Sequence, residues 1–329
     1  MREQLLSTMK KVAKQKKAKI LVCEGWDERC IQASAKILEE GLAELVILGN
    51  PDEINKKAKK LKADINKAEI LDFKNSELKD ELAEKLVELR KHKGMTIEEA
   101  KKLMDDENYF GCMYVHTGHA DAIGGSAICP TAALMRPALQ ILRKKDSLVS
   151  EIGIMYNSTN KRLLFETDAS LNIQPDAEQL AQMALNAAEC VREFKIEPKI
   201  AMLSFSTKGS GGDNPQTQLV RDALEIVHKK DPELLIDGEL QFDAALSPSA
   251  AKKKCPDSPL KGEANTVIFP DLNSSNIATH GFCQISDMTF EFTVLKGVQK
   301  PVEIFGRSVP MDTIYKMIIC LAMQVNSKK

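Results

Sequence analysis

One segment constrains the fold more than any other: Ala201-Met-Leu-Ser-Phe-Ser-Thr-Lys-Gly-Ser-Gly-Gly-Asp213. Its apolar start suits a buried strand, its middle carries hydroxyls, one lysine and three glycines, and beyond it Leu219, Val220, Ala223, Leu224 and Val227 recur at helical spacing. The reading is strand, loop, helix. Asp213 or Asn214 can cap that helix, and Pro215 fits its first position. Glycines let the backbone approach a ligand, and the open N–H groups of a helix start suit an anion, with Ser206, Thr207 and Lys208 as further donors. The spacing matches neither the dinucleotide fingerprint nor the nucleoside-triphosphate phosphate loop. An ordinary glycine turn is the alternative.

The same alternation begins the chain. After a lysine-rich first helix, residues 18–25 read as a strand, 27–40 as a helix and 43–50 as a second strand, which is the pattern of βαβ units in a parallel sheet. Residues 68–73 suggest a third strand, 78–92 an amphipathic helix, Thr96-Ile-Glu-Glu99 a capping box, and 110–116 another strand. Residues 118–131, rich in glycine and small side chains, lead into a helix at 132–143 and form a second candidate ligand edge. Polar residues 156–162 read as a hairpin turn between antiparallel strands at 150–155 and 163–165, followed by a helix at 176–195. Residues 234–243 and 264–273 place carboxylates and amides just beyond apolar strands, the edge where open α/β sheets bind ligands. Residues 252–262 read as a loop. A strand at 301–305 and an apolar helix reaching Val325 end the chain.

With 329 residues, the chain exceeds what one core usually organises, so two domains are expected, and 43% hydrophobic residues allow sizeable cores. A net charge of -1 provides no global field for nucleic acid or an anionic membrane. Lys10, Lys11, Lys14, Lys16, Lys17 and Lys19 suit a solvated helix face, with a basic interaction arm as the other reading. No apolar run has the length of a membrane span and the first residues lack a signal-peptide pattern, so a soluble, cytoplasmic protein is expected. Eight cysteines without Cys-x-x-Cys spacing read as reduced, small apolar residues.

Arg136 follows the second glycine-rich loop, and Arg307 follows a glycine at a strand end. A planar, permanently charged fork there suits bidentate phosphate binding, although either could be a surface ion-pair partner. Metal chemistry is the rival reading. Cys112, His116, His119 and Cys129 match no common closed zinc spacing, and Asp237, Glu239 and Asp243 could hold magnesium or satisfy their own backbone turn. No metal is expected.

Taken together, these segments resemble the phosphate acetyl/butyryl transferase (phosphotransacetylase) family. The likeness runs from Glu24-Gly-Trp-Asp-Glu-Arg29 through Leu89-Arg-Lys-His-Lys-Gly-Met-Thr96 and Met135-Arg-Pro-Ala-Leu139 to the last helix. It is most specific at residues 201–210, at Asp237-Gly-Glu-Leu-Gln-Phe-Asp-Ala-Ala-Leu246, and at Ile268-Phe-Pro-Asp-Leu272 with Asn276-Ile277. The resemblance implies an α/β fold of two domains with mainly parallel sheets and an active-site cleft between them. The first domain would be 1–145 completed by 299–329, and the second, 146–298, would form a homodimer. It also implies reversible acetyl transfer between acetyl phosphate and coenzyme A, with acetyl-CoA and phosphate as the other substrates and no tightly bound cofactor. Neither nucleic acid nor membrane is an expected partner. In the family an aspartate deprotonates the thiol, while a serine and arginines steady the developing charge and the departing phosphate.

The sequence departs from that pattern near the expected chemistry. The family's Ser-Arg-Gly-Cys-Ser-x-x-Asp reads Gly306-Arg-Ser-Val-Pro-Met-Asp-Thr313, which keeps the arginine and replaces the serine and aspartate. An expected arginine is Gln284, the earlier loop reads Gly124-Gly-Ser126 and Pro130-Thr-Ala-Ala133, and His119 stands where an acid is common. Ser308 or Ser126 could supply the hydroxyl and Asp312 the carboxylate, although a one-residue shift at a helix start turns a side chain by about 100°. The resulting catalytic candidates are Arg307, Arg136, Asp312 and Ser308. The substrate-binding candidates are Ser126, Thr131, Ser206, Thr207, Lys208, Gly209, Ser210, Arg90 and Asn276. Three alternatives stand: a weak or inactive coenzyme A- or phosphate-binding homologue, a transferase for another acyl phosphate such as butyryl phosphate, and a metal- and nucleotide-dependent decarboxylating dehydrogenase. The missing dinucleotide fingerprint weighs against the last.

Overall fold

The computed structural model describes residues 2–327, which divide into two compact units. One unit runs from Leu6 to Ser147 and is completed by the segment from Val298 onward; the other is Leu148–Gly297 with the residues before Leu6. In chain order the first unit contributes β1 (Lys19–Val22), β2 (Glu44–Leu48), β3 (Glu69–Leu71) and β4 (Ala122–Gly125). The second contributes β5 (Ser150–Asn157), β6 (Leu163–Thr167), β7 (Ile200–Leu203), β8 (Ile236–Leu240), β9 (Thr266–Ile268) and β10 (Met288–Lys296). The chain then returns to the first unit with β11 (Val302–Ile304).

The first sheet has the order β11-β4-β1-β2-β3, and every neighbouring pair is parallel. Ile20, Leu21 and Val22 of β1 are fully buried, as a parallel strand covered on both faces requires. Helix Glu28–Glu39 supplies one cover. Asp27 caps it by accepting from the amides of Arg29 and Cys30, and Cys30, Ile31, Ser34, Ile37 and Leu38 form its buried stripe. The last helix, Met311–Ser327, packs against it. Because β2 and β3 lie to one side of β1 and β4 and β11 to the other, strand order reverses between β1 and β4. That is the switch point at which sheets of this class open a ligand crevice beyond their carboxyl ends.

Two sequence expectations fail in this unit, for related reasons. Residues 110–116 are not a strand but belong to helix Glu107–His116, capped by Asp106 on the amides of Asn108 and Tyr109. The residues from Phe110 to Val115 are all buried, so this helix is apolar all round, and a continuous apolar run does not distinguish helix from strand. The strand is instead β4, inside the stretch read as a glycine-rich loop. Its glycines are there for close packing: a Cβ on Gly124 would lie 2.3 Å from the ring of Phe305, and one on Gly125 would lie 2.9 Å from the Cβ of Cys23. Gly124→Ala is therefore expected to cost about 1–3 kcal/mol by overpacking. Denaturant unfolding measures it, and an unchanged midpoint would mean that Phe305 can move aside.

The second sheet has the order β10-β5-β6-β9-β7-β8. β10, β5 and β6 run antiparallel, with the expected hairpin joining β5 to β6, while β6, β9, β7 and β8 are parallel. Alternation does not reveal β10 because its register breaks: Phe290 and Phe292 pair with the adjacent residues Met155 and Ile154. The expected loop at 252–262 begins inside helix Pro248–Lys254, which Pro248 starts at a position where its missing N–H costs nothing. Among the described residues, no helix is long and apolar enough to cross a membrane.

Candidate functional site

In the first unit, three loops leave the carboxyl ends of β1, β4 and β11, and two side chains absent from the sequence-derived candidates hold them. Glu24 follows β1 with φ of 54° and is buried. Its carboxylate accepts from the amides of Ala127, Ile128 (3.0 Å) and Cys129 (2.7 Å), and its own amide donates to the Glu107 carboxylate. Arg29 lies in the first turn of helix Glu28–Glu39. It donates to both oxygens of Asp27 (3.0 and 3.2 Å) and to the carbonyls of Ala127 (2.7 Å), Arg307 (3.0 Å) and Val309 (2.9 Å). Loop positions that sequence leaves independent are thereby tied together.

Ser126 is buried at the end of β4, and its hydroxyl donates to the Pro130 carbonyl at 3.4 Å. Thr131 opens the short helix Thr131–Pro137, with its side chain exposed, and Arg136 is exposed on the same helix. Arg136 and Arg90 are neighbours of Tyr109: burial raises that phenol, and the two guanidinium charges oppose the rise. Tyr109 donates to Gln140 at 3.1 Å, while the Nε of Arg90 is buried with no hydrogen-bond partner among the described residues. Arg307 and Ser308 are exposed on the loop after β11. Asp312, in the first turn of the last helix, pairs with Lys36 at 3.3 Å, and Lys36 also sits 4.0 Å above the ring of Tyr315. The structure thus brings Arg90 and Arg136 into one neighbourhood, sets Arg307 beside Ser308, and gives Asp312 a cationic partner.

The second unit shows why the loop after β7 has the composition it has. The Ser206 hydroxyl and the Gly209 amide donate to Glu239 at 2.9 and 2.8 Å, and the Gly211 amide donates to the Ser206 oxygen at 2.9 Å. Lys208 pairs with Asp237 and donates to the Gly238 carbonyl at 2.7 Å. The Thr207 amide donates to the Ser210 hydroxyl, and the Thr207 hydroxyl accepts from the Gln241 amide, each at 2.9 Å. Asn214 caps the following helix on the amides of Gln216 and Thr217. The anion gripped by this loop is the chain's own Glu239. Burial pushes its carboxyl up, but the Gly209 and Ser206 hydrogen bonds and the Arg221 charge outweigh that, and the net direction is down.

Of the magnesium candidates, Asp237 pairs with Lys208, Glu239 holds the loop, and Asp243 pairs with Lys254 at 2.8 Å. In the zinc alternative Cys112 is buried in a helix and the His119 ring lies 2.8 Å from the Thr117 hydroxyl. Among the described residues, no group of three or more His, Cys, Asp or Glu is arranged to hold a metal ion. Asn276, on helix Leu272–Ile285, is exposed and donates to the Ala169 carbonyl at 3.1 Å. Near Ser206 a concavity of about 420 Å³ is lined by Ser204, Phe205, Pro270 and Asp271, and Phe205 is 60% exposed. An exposed aromatic at a strand end is a feature that sequence periodicity does not separate from core.

Glu166 of β6 supplies a pH signature. It is buried, accepts from the Thr279 hydroxyl at 2.6 Å, and its second oxygen has no hydrogen-bond partner among the described residues, so burial lifts it from 4.5 to about 7. Between these values the folded chain holds a proton that the unfolded chain releases, so stability declines as pH rises from about 4.5 to 7 and then levels. Glu166→Gln should be more stable than the parent protein at pH 8 and show a shallower decline. Glu151 and Glu107, also lifted chiefly by burial to about 7, keep it from vanishing. Denaturant unfolding from pH 4 to 8 is the measurement, and an unchanged slope would refute the assignment.

Comparison with known proteins agrees with this architecture. The family described as phosphate acetyl/butaryl transferase matches the chain over residues 4–322. A phosphotransacetylase from Streptococcus pyogenes superposes with a TM-score of 0.94 at 40% sequence identity, covering 99% of both chains. The phosphate acetyltransferase of Bacillus subtilis is 38% identical over 97% of this chain and 98% of its own length. That of Thermoanaerobacterium thermosaccharolyticum is 41% identical over 95% and 96%. With a family model that matches nearly its whole length, and with relatives and a solved structure alike over almost all of it, the chain belongs to the phosphate acetyl/butaryl transferase family.

Proposed function

We propose that this protein transfers an acetyl group reversibly between acetyl phosphate and coenzyme A, with coenzyme A as a substrate and not a resident cofactor. The observation that carries the reading is Arg307: an exposed guanidinium with no carboxylate partner among the described residues, on a loop braced by Arg29 at the carboxyl edge of a parallel sheet. Arg136 and Arg90, neighbours through Tyr109, provide a second cationic position. Acetyl phosphate and coenzyme A both carry phosphate, and two cationic positions suit two such groups.

In the forward direction the thiol loses its proton, the sulfur attacks the acetyl carbonyl, and the carbon–oxygen bond to phosphate breaks with the electron pair leaving on phosphate. Arg307 stabilises the charge that grows on that phosphate. For the carbonyl oxygen, Ser308 is the better placed hydroxyl, because it is exposed while that of Ser126 is buried against Pro130. Asp312 can take the thiol proton once it leaves Lys36, and an exposed pair of this kind holds it by only about 0–1 kcal/mol. In the second unit, residues 206–210 would contribute shape, since many of their donors already serve Glu239, Asp237 and Gln241.

Acetyl-CoA formation from acetyl phosphate and coenzyme A, followed at the thioester absorbance, is the test, with butyryl phosphate beside it. Turnover with acetyl phosphate supports the reading. No turnover with either acyl phosphate in a folded protein would favour a binding homologue, the reading that Gly306 and Thr313 suggest. A homodimer built through the second unit is part of the proposal. Ile277 and Ile285 of helix Leu272–Ile285 are 70% and 86% exposed, and Phe290 of β10 is 41% exposed. Ile285→Glu should therefore shift the protein toward monomer in sedimentation, and a parent protein that is already monomeric would remove this part.

A further inference from the structure

The acetyl-transfer reading needs the Arg307 guanidinium at a repeatable position, yet Arg307 is exposed on a loop and its side chain has no ion-pair partner among the described residues. What holds the loop is its backbone. The carbonyls of Arg307 and Val309 both accept from Arg29 Nη1, at 3.0 and 2.9 Å. The other terminal nitrogen, Nη2, donates to the Ala127 carbonyl at 2.7 Å, and the Asp27 carboxylate receives Nε at 3.0 Å and Nη2 at 3.2 Å. An arginine has five N–H donors. All five have acceptors here, so none remains for a substrate phosphate.

We infer that Arg29 is the positioning residue of the transferase site: through the carbonyls of Ala127, Arg307 and Val309, it fixes the loops after β4 and β11 relative to each other and so fixes the place from which Arg307 acts. This rests on the acetyl-transfer reading proposed above. Three further features fit that role. Asp27 caps the helix that bears Arg29, so the clamp is anchored to a buried element and not to a loop. The Ala127–Cys129 segment that Arg29 holds by a carbonyl is held by its amides from Glu24, so it is gripped through both its donors and an acceptor. The fork geometry also matters: a lysine ammonium offers three donors from one point and cannot span acceptors on two loops and the Asp27 cap together.

The test combines kinetics with hydrogen–deuterium exchange on the whole protein, using Arg29→Ala, Arg29→Lys, Arg307→Ala and the Arg29→Ala/Arg307→Ala double variant. Both Arg29 variants should lower kcat/KM for acetyl phosphate by on the order of 10²-fold, the scale of a misplacement of about 1 Å. Added to Arg307→Ala, the Arg29→Ala change should cost clearly less than it does alone, because the chief group that Arg29 positions is already gone. Losses that multiply in the double variant would overturn the inference. Exchange separates this from failure of the functional reading. Whatever the activity, peptides covering 126–136 and 305–313 should exchange at least about tenfold faster in Arg29→Lys, while the rest of the chain keeps its protection. Unchanged exchange in both loops would overturn the positioning role even in an active enzyme, and faster exchange in an inactive parent protein would leave the clamp standing while the acetyl-transfer reading falls. Arg29→Lys keeps the charge and stands in if Arg29→Ala does not fold.

Discussion

Arg307→Ala is expected to lower the rate of acetyl-CoA formation by about 10²–10³-fold, the usual loss when one oriented donor to a developing negative charge is removed. Stability should stay within about 0.5 kcal/mol of the parent protein, because the side chain is exposed and makes no ion pair with the described residues. The combination is the diagnostic result. A large rate loss in a protein of unchanged unfolding midpoint would show that the guanidinium acts on substrate and is not a brace. Arg307→Lys sharpens the point, since it keeps the charge but not the bidentate fork and should recover only part of the rate. A wild-type rate in Arg307→Ala would shift the phosphate grip to Arg136 and Arg90. It would also remove the observation on which the proposed function leans most.

The reach of the sequence follows from how local each signal is. The Asn214 cap and the Thr96–Glu99 capping box could be read because donor and acceptor lie within three residues. The ends of β7, β8 and β9 could be read from apolar runs that stop at polar residues, and Arg307 and Arg136 could be read as cations that follow glycine-bearing loops. Helix Glu107–His116 was misread because burial on every side erases the period that distinguishes helix from strand. β4 was hidden because its glycines, required by the Phe305 ring and Cys23, look like loop residues when the packing is unseen.

The bracing of the site was out of reach for a different reason. Arg29 meets acceptors 98, 278 and 280 positions away, and Ser206 meets Glu239 across 33. Spacing carries no trace of such pairs. Hydroxyls, lysine and glycine in the loop after β7 are the composition of an anion cradle, and it is one. Its anion comes from the end of β8.

The last expected effect concerns Glu24, the second carboxylate that fills a loop from within. Glu24→Ala removes the acceptor of three consecutive amides, Ala127, Ile128 and Cys129. A buried amide left without a partner costs about 1–3 kcal/mol. Ile128 is 42% exposed and its amide can turn to water, so the total should lie near the cost of one or two such groups, about 3 kcal/mol. One term opposes the loss: Glu107 is raised chiefly by burial and further by the charge of Glu24, so its own ionisation becomes easier once that charge is gone. Glu24→Gln separates the contributions. It keeps an acceptor oxygen and the side-chain volume, but turns an NH2 group toward amides that need an acceptor, so its stability should fall between the parent protein and Glu24→Ala. Activity should fall in both variants at temperatures where they remain folded, because the segment from Ala127 to Cys129 leads from Ser126 into the helix that bears Arg136. If Glu24→Gln matched the parent protein in both unfolding midpoint and rate, the carboxylate charge would be dispensable. The loop after β4 would then be held by the Arg29 clamp and its own packing alone.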